Sequence, residues 1–145
     1  MLDPRGVLRQ RPSIEDISAQ YRRMQQRVIE LLDQALGPMD WTVVEPESPR
    51  NCTSFPGIAE AESRLLEAWR SPRSITDDDW PRAMGIVRSI TAEHGFEPPE
   101  IVINRSGDHE VTGNDTYGAV YSFGTATGTE LSVTTGCHLR AARTA

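Results

Sequence analysis

Apolar residues recur at helical spacing near the start of the chain, and they form the clearest pattern in the sequence. The stripe consists of Ile14, Ile17, Tyr21, Met24, Val28, Leu31, Leu32 and Ala35. Ser13 precedes the stripe and Asp16 follows three residues later, which resembles a capping box at the start of a helix. Gly37-Pro38 follows the stripe and is expected to end the helix. The pattern predicts a helix over residues 13–36. A coiled-coil seam is the alternative, but about three heptads flanked by Arg and Gln favour packing on a sheet of the same chain.

A second helix is predicted after residue 79. Thr76 and the acidic run Asp77-Asp78-Asp79 supply an N-cap and an acidic first turn. Its apolar stripe is Trp80, Met84 (or Ala83), Val87 and Ile90, and Gly95 is the expected C-cap. The segment from Ala59 to Trp69 is rich in helix formers and predicts a third, short helix, with a strand over residues 64–69 as the alternative.

The remainder of the chain has the alternation and turn residues of strands. The predicted strands are 41–44, 101–103, 109–112, 119–123 and 130–135. Three prolines in the loop from Glu45 to Pro56 argue against sheet pairing there. The prediction is an α+β fold, with two main helices packed on one face of an antiparallel sheet of about five strands.

The chain of 145 residues fits one domain, which we expect to span residues 13–139. Residues 1–12 are predicted to be a flexible leader, and residues 140–145 a frayed tail. No apolar run approaches the length of about 18 residues that a membrane helix needs. The first residues lack the features of a signal peptide, so we expect an exported form to carry its signal upstream of Met1.

The charge balance excludes several function classes. The net charge is -6, and the arginines are scattered among 21 carboxylates, which argues against nucleic-acid binding. All 15 basic residues are Arg, so chemistry that requires Lys, such as a Schiff base or a P-loop, is excluded. The absence of Lys is typical of a GC-rich genome.

Two cysteines, Cys52 and Cys137, are present, and they lie far apart in the sequence. Their spacing matches no zinc motif. They would form a disulfide in an exported protein, or remain small buried thiols in a cytosolic one. The disulfide is the favoured prediction because Cys52 lies in a proline-rich loop, where a free thiol is less readily buried.

Two sets of residues have the chemistry of metal ligands. Asp77, Asp78 and Asp79 lack the glycine and glutamate of a calcium loop, and helix capping explains them. His94, His109 and His138 could converge on zinc, but none has a second ligand at the usual spacing. We therefore expect no metal and no cofactor.

No catalytic residue is assigned from the sequence. Ser106, Asp108 and His109 lie within one predicted turn, where neighbouring side chains point apart and do not form a triad. The glycine-containing segment 124–129 connects two predicted strands, so a hairpin loop is favoured over a phosphate-binding loop. Sequons at Asn51, Asn104 and Asn114 are interpreted as turn sequences rather than glycan sites.

Five short motifs are together distinctive. They are Arg11-Pro12-Ser13-Ile14-Glu15-Asp16-Ile17, Asp79-Trp80-Pro81-Arg82-Ala83, Ser106-Gly107-Asp108-His109-Glu110, Ser122-Phe123-Gly124-Thr125-Ala126 and Thr135-Gly136-Cys137-His138-Leu139. With them the sequence resembles the LppA-like lipoproteins of mycobacteria and related actinobacteria, over residues 11–139. The resemblance implies a secretory signal with a lipidated N-terminal cysteine, a cell-envelope location and pairing of Cys52 with Cys137. It implies no catalytic residues.

Three functions are consistent with these observations. The first is a non-enzymatic, extracytoplasmic domain of a lipoprotein, attached to the membrane only through a lipid anchor, that binds an unknown envelope component or protein. The second is a carrier of a small apolar or lipid ligand held between the helices and the sheet. The third is a small hydrolase, for which Asp108 and His109 are the candidate residues.

Overall fold

The computed structural model describes residues 3–141. Three helices lie in that range: α1 (Pro4–Arg9), α2 (Ile14–Leu36) and α3 (Trp80–Glu93). The two long helices confirm the sequence prediction. Ser13 caps α2 by accepting a hydrogen bond from the Asp16 backbone N–H at 3.1 Å. Gly37 ends that helix with a φ of 87°, a conformation that favours glycine.

The sheet is antiparallel and larger than predicted. Its strands are β1 (Thr42–Glu45), β2 (Ser48–Arg50), β3 (Ala61–Leu65), β4 (Ala68–Ser71), β5 (Glu100–Arg105), β6 (Asp108–Asn114), β7 (Val120–Thr125), β8 (Thr129–Thr134) and β9 (His138–Leu139). The main order is β1-β4-β8-β7-β6-β5, while β3 pairs with β2, β8 and β9. The α+β class is therefore confirmed, but nine strands in the described range replace the expected five.

The helix predicted for Ala59–Trp69 is wrong, because this segment forms β3 and β4. Its alanines and glutamates favour a helix locally, but the segment lies between strands that supply hydrogen bonds on both sides. The expectation that the loop after β1 does not pair is also wrong. Pro49 lies in β2, an outer strand beside β3, where a missing N–H can face solvent.

The segment predicted as a flexible leader contains α1, which is docked on the domain. Leu8 of α1 is fully buried, and α1 contacts β9. One buried apolar residue in a six-residue helix is too weak a pattern to reveal this from the sequence. Of the predicted tail, Arg140 and Ala141 are described and bond to residues 60 and 15, and the rest lies outside the described residues.

One hydrophobic core joins α2 and α3 to one face of the sheet. Burial alternates along β6, β7 and β8, so that every second side chain points towards the helices. Tyr121 and Phe123 face the core and Val120 does not, as the sequence pattern predicted. Trp80 at the start of α3 stacks on Phe123 with ring centroids 5.3 Å apart. This contact sets the position of α3 relative to the central strands.

Candidate functional site

An open groove of about 380 Å³ lies between α3 and the edge of the sheet. Its apolar lining comes from Trp80, Met84, Ile101, Ile103 and Val111, and its polar lining includes Arg88 and Asn104. We call it the α3–β5 groove. The helix side is formed by residues four positions apart, which lie on one face of α3. The strand side is formed by β5 and by Val111 of β6.

The strand side of the α3–β5 groove is unusually exposed for an apolar surface. Ile101 is 65% exposed, whereas Val111, which also lines the groove, is buried. Arg88 is also exposed, and it forms no ion pair within residues 3–141. The groove is thus an accessible apolar surface with a cation on its wall, which is the usual character of a binding site.

The β5 strand is an edge of the sheet. Among the described residues it pairs only with β6, so the backbone groups on its other side have no partner strand. The pairing with β6 is irregular between Ile101 and Ile103, a feature that bends an edge strand and increases its twist. The other edge, β1, carries the exposed Val43 and Val44. Both edges therefore expose apolar side chains beside free backbone groups.

A polar network closes one end of the α3–β5 groove. The His109 ring stacks on Trp80 with centroids 4.9 Å apart. Its Nε2 lies 2.8 Å from Asp77 Oδ1, and its Nδ1 lies 2.9 Å from Asn104 Oδ1. Both ring nitrogens of this buried histidine are therefore occupied. Trp80 and Asn104 belong to the groove lining as well, so the network is continuous with the groove.

Asp77 is the centre of this network, although the sequence placed it only in a helix cap. It accepts hydrogen bonds from the Gly107 backbone N–H at 2.8 Å and from Ser106 Oγ at 2.9 Å. These bonds and the contact with His109 lower the pKa of Asp77 to about 2. The predicted acidic first turn of α3 is wrong, and Asp79 makes no capping bond with its side chain, but Thr76 Oγ1 accepts a hydrogen bond from the Asp79 backbone N–H at 3.2 Å. Asp77 instead fastens the β5–β6 turn to the segment before α3.

The candidate hydrolytic residues are not arranged as a triad. Ser106 and His109 both bond to Asp77, so the carboxylate separates the hydroxyl from the imidazole. Asp108 forms an ion pair with Arg105 at 2.7 Å instead of contacting His109. A triad requires the histidine to lie between the other two groups. The geometry therefore gives Ser106 no base within these contacts.

The remaining candidate residues serve structural contacts. No three His, Cys, Asp or Glu side chains within residues 3–141 are arranged to hold a metal ion. His94 is the C-cap of α3, and the buried His138 bonds through Nδ1 to the Pro12 carbonyl at 2.9 Å. The segment 124–129 forms the β7–β8 hairpin, as predicted. Asn51 lies in a loop, whereas Asn104 and Asn114 lie in strands rather than turns.

Cys52 and Cys137 form a disulfide with their Cα atoms 5.6 Å apart. This confirms the pairing that the sequence favoured. The bond ties the loop between β2 and β3 to the segment that precedes β9. Sequence reasoning missed the α3–β5 groove, because its two sides come from separate elements. The apolar triplet Ile101-Val102-Ile103 at an edge strand was the one local indication of it.

The comparisons with known proteins agree with this fold. A crystal structure of LppA, a proposed lipoprotein of Mycobacterium tuberculosis, matches with a TM-score of 0.76 and 15% identity, over 92% of this chain and 82% of that one. A protein of the DUF4853 family from Actinomyces odontolyticus matches with a TM-score of 0.61 and 16% identity, over 92% and 72%. At these identities the two structures show a shared fold.

The sequence itself, unlike the two shared folds, shows which family the chain belongs to. No curated protein matches the sequence. No helix in the described range is long and apolar enough to cross a membrane. The family model of LppA, described as a lipoprotein confined to pathogenic Mycobacterium, matches residues 4–141. This chain therefore belongs to the LppA family of lipoproteins.

Proposed function

We propose that this chain is a non-enzymatic, extracytoplasmic, lipid-anchored domain that binds an extended peptide segment of an envelope protein in the α3–β5 groove. Membership of a lipoprotein family supports the location and the anchor. The observation that carries the binding proposal is the apolar groove beside an edge strand. The triad-free arrangement around Asp77 is consistent with a binding role.

The free edge of β5 favours a peptide over other apolar ligands. An extended peptide can add to an edge strand through backbone hydrogen bonds and place alternate side chains in an adjacent groove. β5 has backbone groups available on one side, and its side chains line one groove together with those of α3. A lipid chain would leave those backbone groups unpaired, which costs free energy when they are covered.

The size and charge of the groove define the peptide. A volume of about 380 Å³ is near the lower end of ligand pockets, about 300–1,000 Å³. It therefore suits one or two apolar side chains of a bound strand. Arg88 on the wall has no carboxylate partner within the described residues, so an acidic residue of the peptide can pair with it. We expect alternating apolar residues with a nearby carboxylate.

Selection of peptides from a random library against the intact chain tests this function. Selected peptides should bind the wild-type protein and lose about tenfold or more in affinity for Ile101→Asp, which places a charge in the apolar wall. The matched control is Val44→Asp, which changes an exposed valine on the opposite edge strand, 51% exposed against 65% for Ile101. This variant should bind the peptides as the wild type does.

Hydrogen exchange adds a measurement specific to strand addition. The amides of β5 that face outward should exchange more slowly when the peptide is bound, and those of β1 should not change. Peptides that bind Ile101→Asp with unchanged affinity would place the site elsewhere. If Ile101→Asp weakens peptide binding but the β5 amides are not protected, the second candidate function is supported, a small apolar ligand in the same groove. A fluorescent fatty acid should then bind in that groove.

A further inference from the structure

A second pocket, of about 260 Å³, lies beside the disulfide and has a different character. Its polar lining includes Arg11, Asn51, Thr53, Ser54, Ser63 and Thr135. None of its lining residues is acidic, although the chain has a net charge of -6. A pocket with one cation, several hydroxyl and amide groups and no carboxylate favours an anion.

Arg11 is held in place by one edge of its guanidinium. Its Nη1 donates to the Tyr117 carbonyl at 3.2 Å and to the Cys137 carbonyl at 2.9 Å. The guanidinium carbon lies 5.2 Å from the centroid of the Phe55 ring and 5.6 Å from that of Tyr117. These contacts fix the plane of the group. Its Nε and Nη2 donors make no hydrogen bond to the protein within residues 3–141.

No carboxylate forms an ion pair with Arg11 among the described residues. Asp115 is the acidic side chain bonded in this region, and its hydrogen bonds go elsewhere. Its Oδ1 accepts from the backbone N–H groups of Tyr117 and Ala119, each at 2.9 Å, and its Oδ2 accepts from the Tyr21 hydroxyl. The positive charge of Arg11 therefore remains available to a ligand.

The rim of the pocket supplies neutral donors that are also unused. Asn51, Thr53 and Ser54 are exposed, and their side chains make no hydrogen bond within the described part of the chain. They lie on both sides of Cys52, so the disulfide to Cys137 holds them beside Arg11. Ser63 and Thr135, by contrast, are buried and bond to each other's segments. The available donors thus belong to Arg11 and the disulfide-bound loop.

We propose that Arg11 and the loop of Asn51, Thr53 and Ser54 form a binding site for a phosphate group. Two guanidinium donors and three side-chain donors match the several acceptor oxygens of phosphate. The phosphate is either a free ion or part of a lipid headgroup, since both present the same oxygens. The site is separate from the α3–β5 groove, and the two share no lining residue.

The test is an NMR titration of the intact chain with inorganic phosphate at constant ionic strength. The amides of residues 51–54, 117 and 136 are expected to shift together and to saturate. Arg11→Gln should weaken this binding about tenfold or more, because it removes the charged donors. The matched control is Arg9→Gln, which removes an exposed arginine of α1 that forms no ion pair within residues 3–141, and it should leave the binding unchanged.

A second variant protects the test against misfolding of Arg11→Gln. Thr53→Val removes one rim hydroxyl at an exposed position, and it should weaken phosphate binding severalfold while the spectrum of the core is unchanged. Reduction of the disulfide should also weaken binding, because it releases the loop. Shifts that do not saturate, or that are equal in wild type, Arg11→Gln and Thr53→Val, would overturn the proposal.

Vesicles distinguish the two sources of phosphate. Binding of wild type but not Arg11→Gln to vesicles of phosphatidylglycerol and phosphatidylcholine would identify a lipid headgroup. Saturable binding of inorganic phosphate without vesicle binding would identify a free ion. Either result supports the site only beside a saturable phosphate titration that depends on Arg11, and without that titration the proposal is overturned whatever the vesicles show.

Discussion

Removal of the Cys52–Cys137 disulfide is the perturbation whose size follows most directly from the structure. The bond joins residues separated by 85 positions. In the chain-entropy relation, closing a loop of that length lowers the conformational entropy of the unfolded chain, which raises the free energy of unfolding by about 4.5 kcal/mol at 25 °C. The total free energy of unfolding of a domain is about 5–15 kcal/mol. The double variant Cys52→Ser, Cys137→Ser should therefore lose a large fraction of its stability, up to this value.

The assay is equilibrium unfolding in urea, with the wild-type protein measured oxidised and reduced. The reduced wild type and the double variant should have similar, much lower free energies of unfolding, and the oxidised wild-type protein should weigh two hydrogens less than the reduced one. Adding reductant to the double variant controls for effects of the reductant that do not involve the disulfide, and it should leave the free energy of unfolding unchanged. A difference below about 1 kcal/mol between the oxidised and reduced proteins would contradict the loop-closure argument.

Two further predictions concern stability. Burial lowers the pKa of His138, whose Nε2 has no hydrogen-bond partner among residues 3–141, so the folded state binds a proton less readily than the unfolded chain. The free energy of unfolding should therefore fall as the pH drops below 6.5, the usual pKa of histidine. The variant His138→Asn retains a donor for the Pro12 carbonyl but does not titrate, so its stability should depend less on pH. Urea unfolding at a series of pH values measures this difference. Leu8→Ala should lower the free energy of unfolding in urea by about 2–5 kcal/mol, because the buried Leu8 docks α1 on the domain. Arg9→Ala should change it by less than about 0.5 kcal/mol, and equal effects of the two variants would show that α1 does not dock through Leu8.

The long elements could be predicted because local and tertiary preferences agree in them. In α2 the apolar stripe, the Ser13 cap and the glycine stop all indicate one helix, and the structure buries that stripe. The meander of β5 to β8 follows from alternation and turn residues in the same way. Agreement at several levels fixes such elements before any long-range contact is known.

The short strands β2, β3, β4 and β9 could not be predicted, because long-range pairing decides them. The segment 61–71 prefers a helix by composition, yet β4 lies between β1 and β8, and β3 pairs with three strands. Arg64 illustrates the competition, since its backbone N–H donates to Thr135 Oγ1 at 2.9 Å across 71 positions of sequence. No local pattern contains that partner. The docking of α1 could not be predicted for the same reason, because it depends on the burial of one side chain, Leu8, by residues distant in the sequence.

Both candidate sites are gaps between segments that are distant in the sequence. The spacing of apolar residues within one segment therefore does not reveal them. A hydrophobic stripe predicts which side chains enter the core, as Trp80 does, but not where a helix stops short of the sheet edge and leaves Ile101 exposed. The phosphate site likewise depends on Arg11 and Thr53, which one disulfide brings together. An apolar edge strand carries a cost in solubility that function would explain, and a fixed guanidinium with free donors can bind an anion. These features are the physical reason for testing these two surfaces before any other.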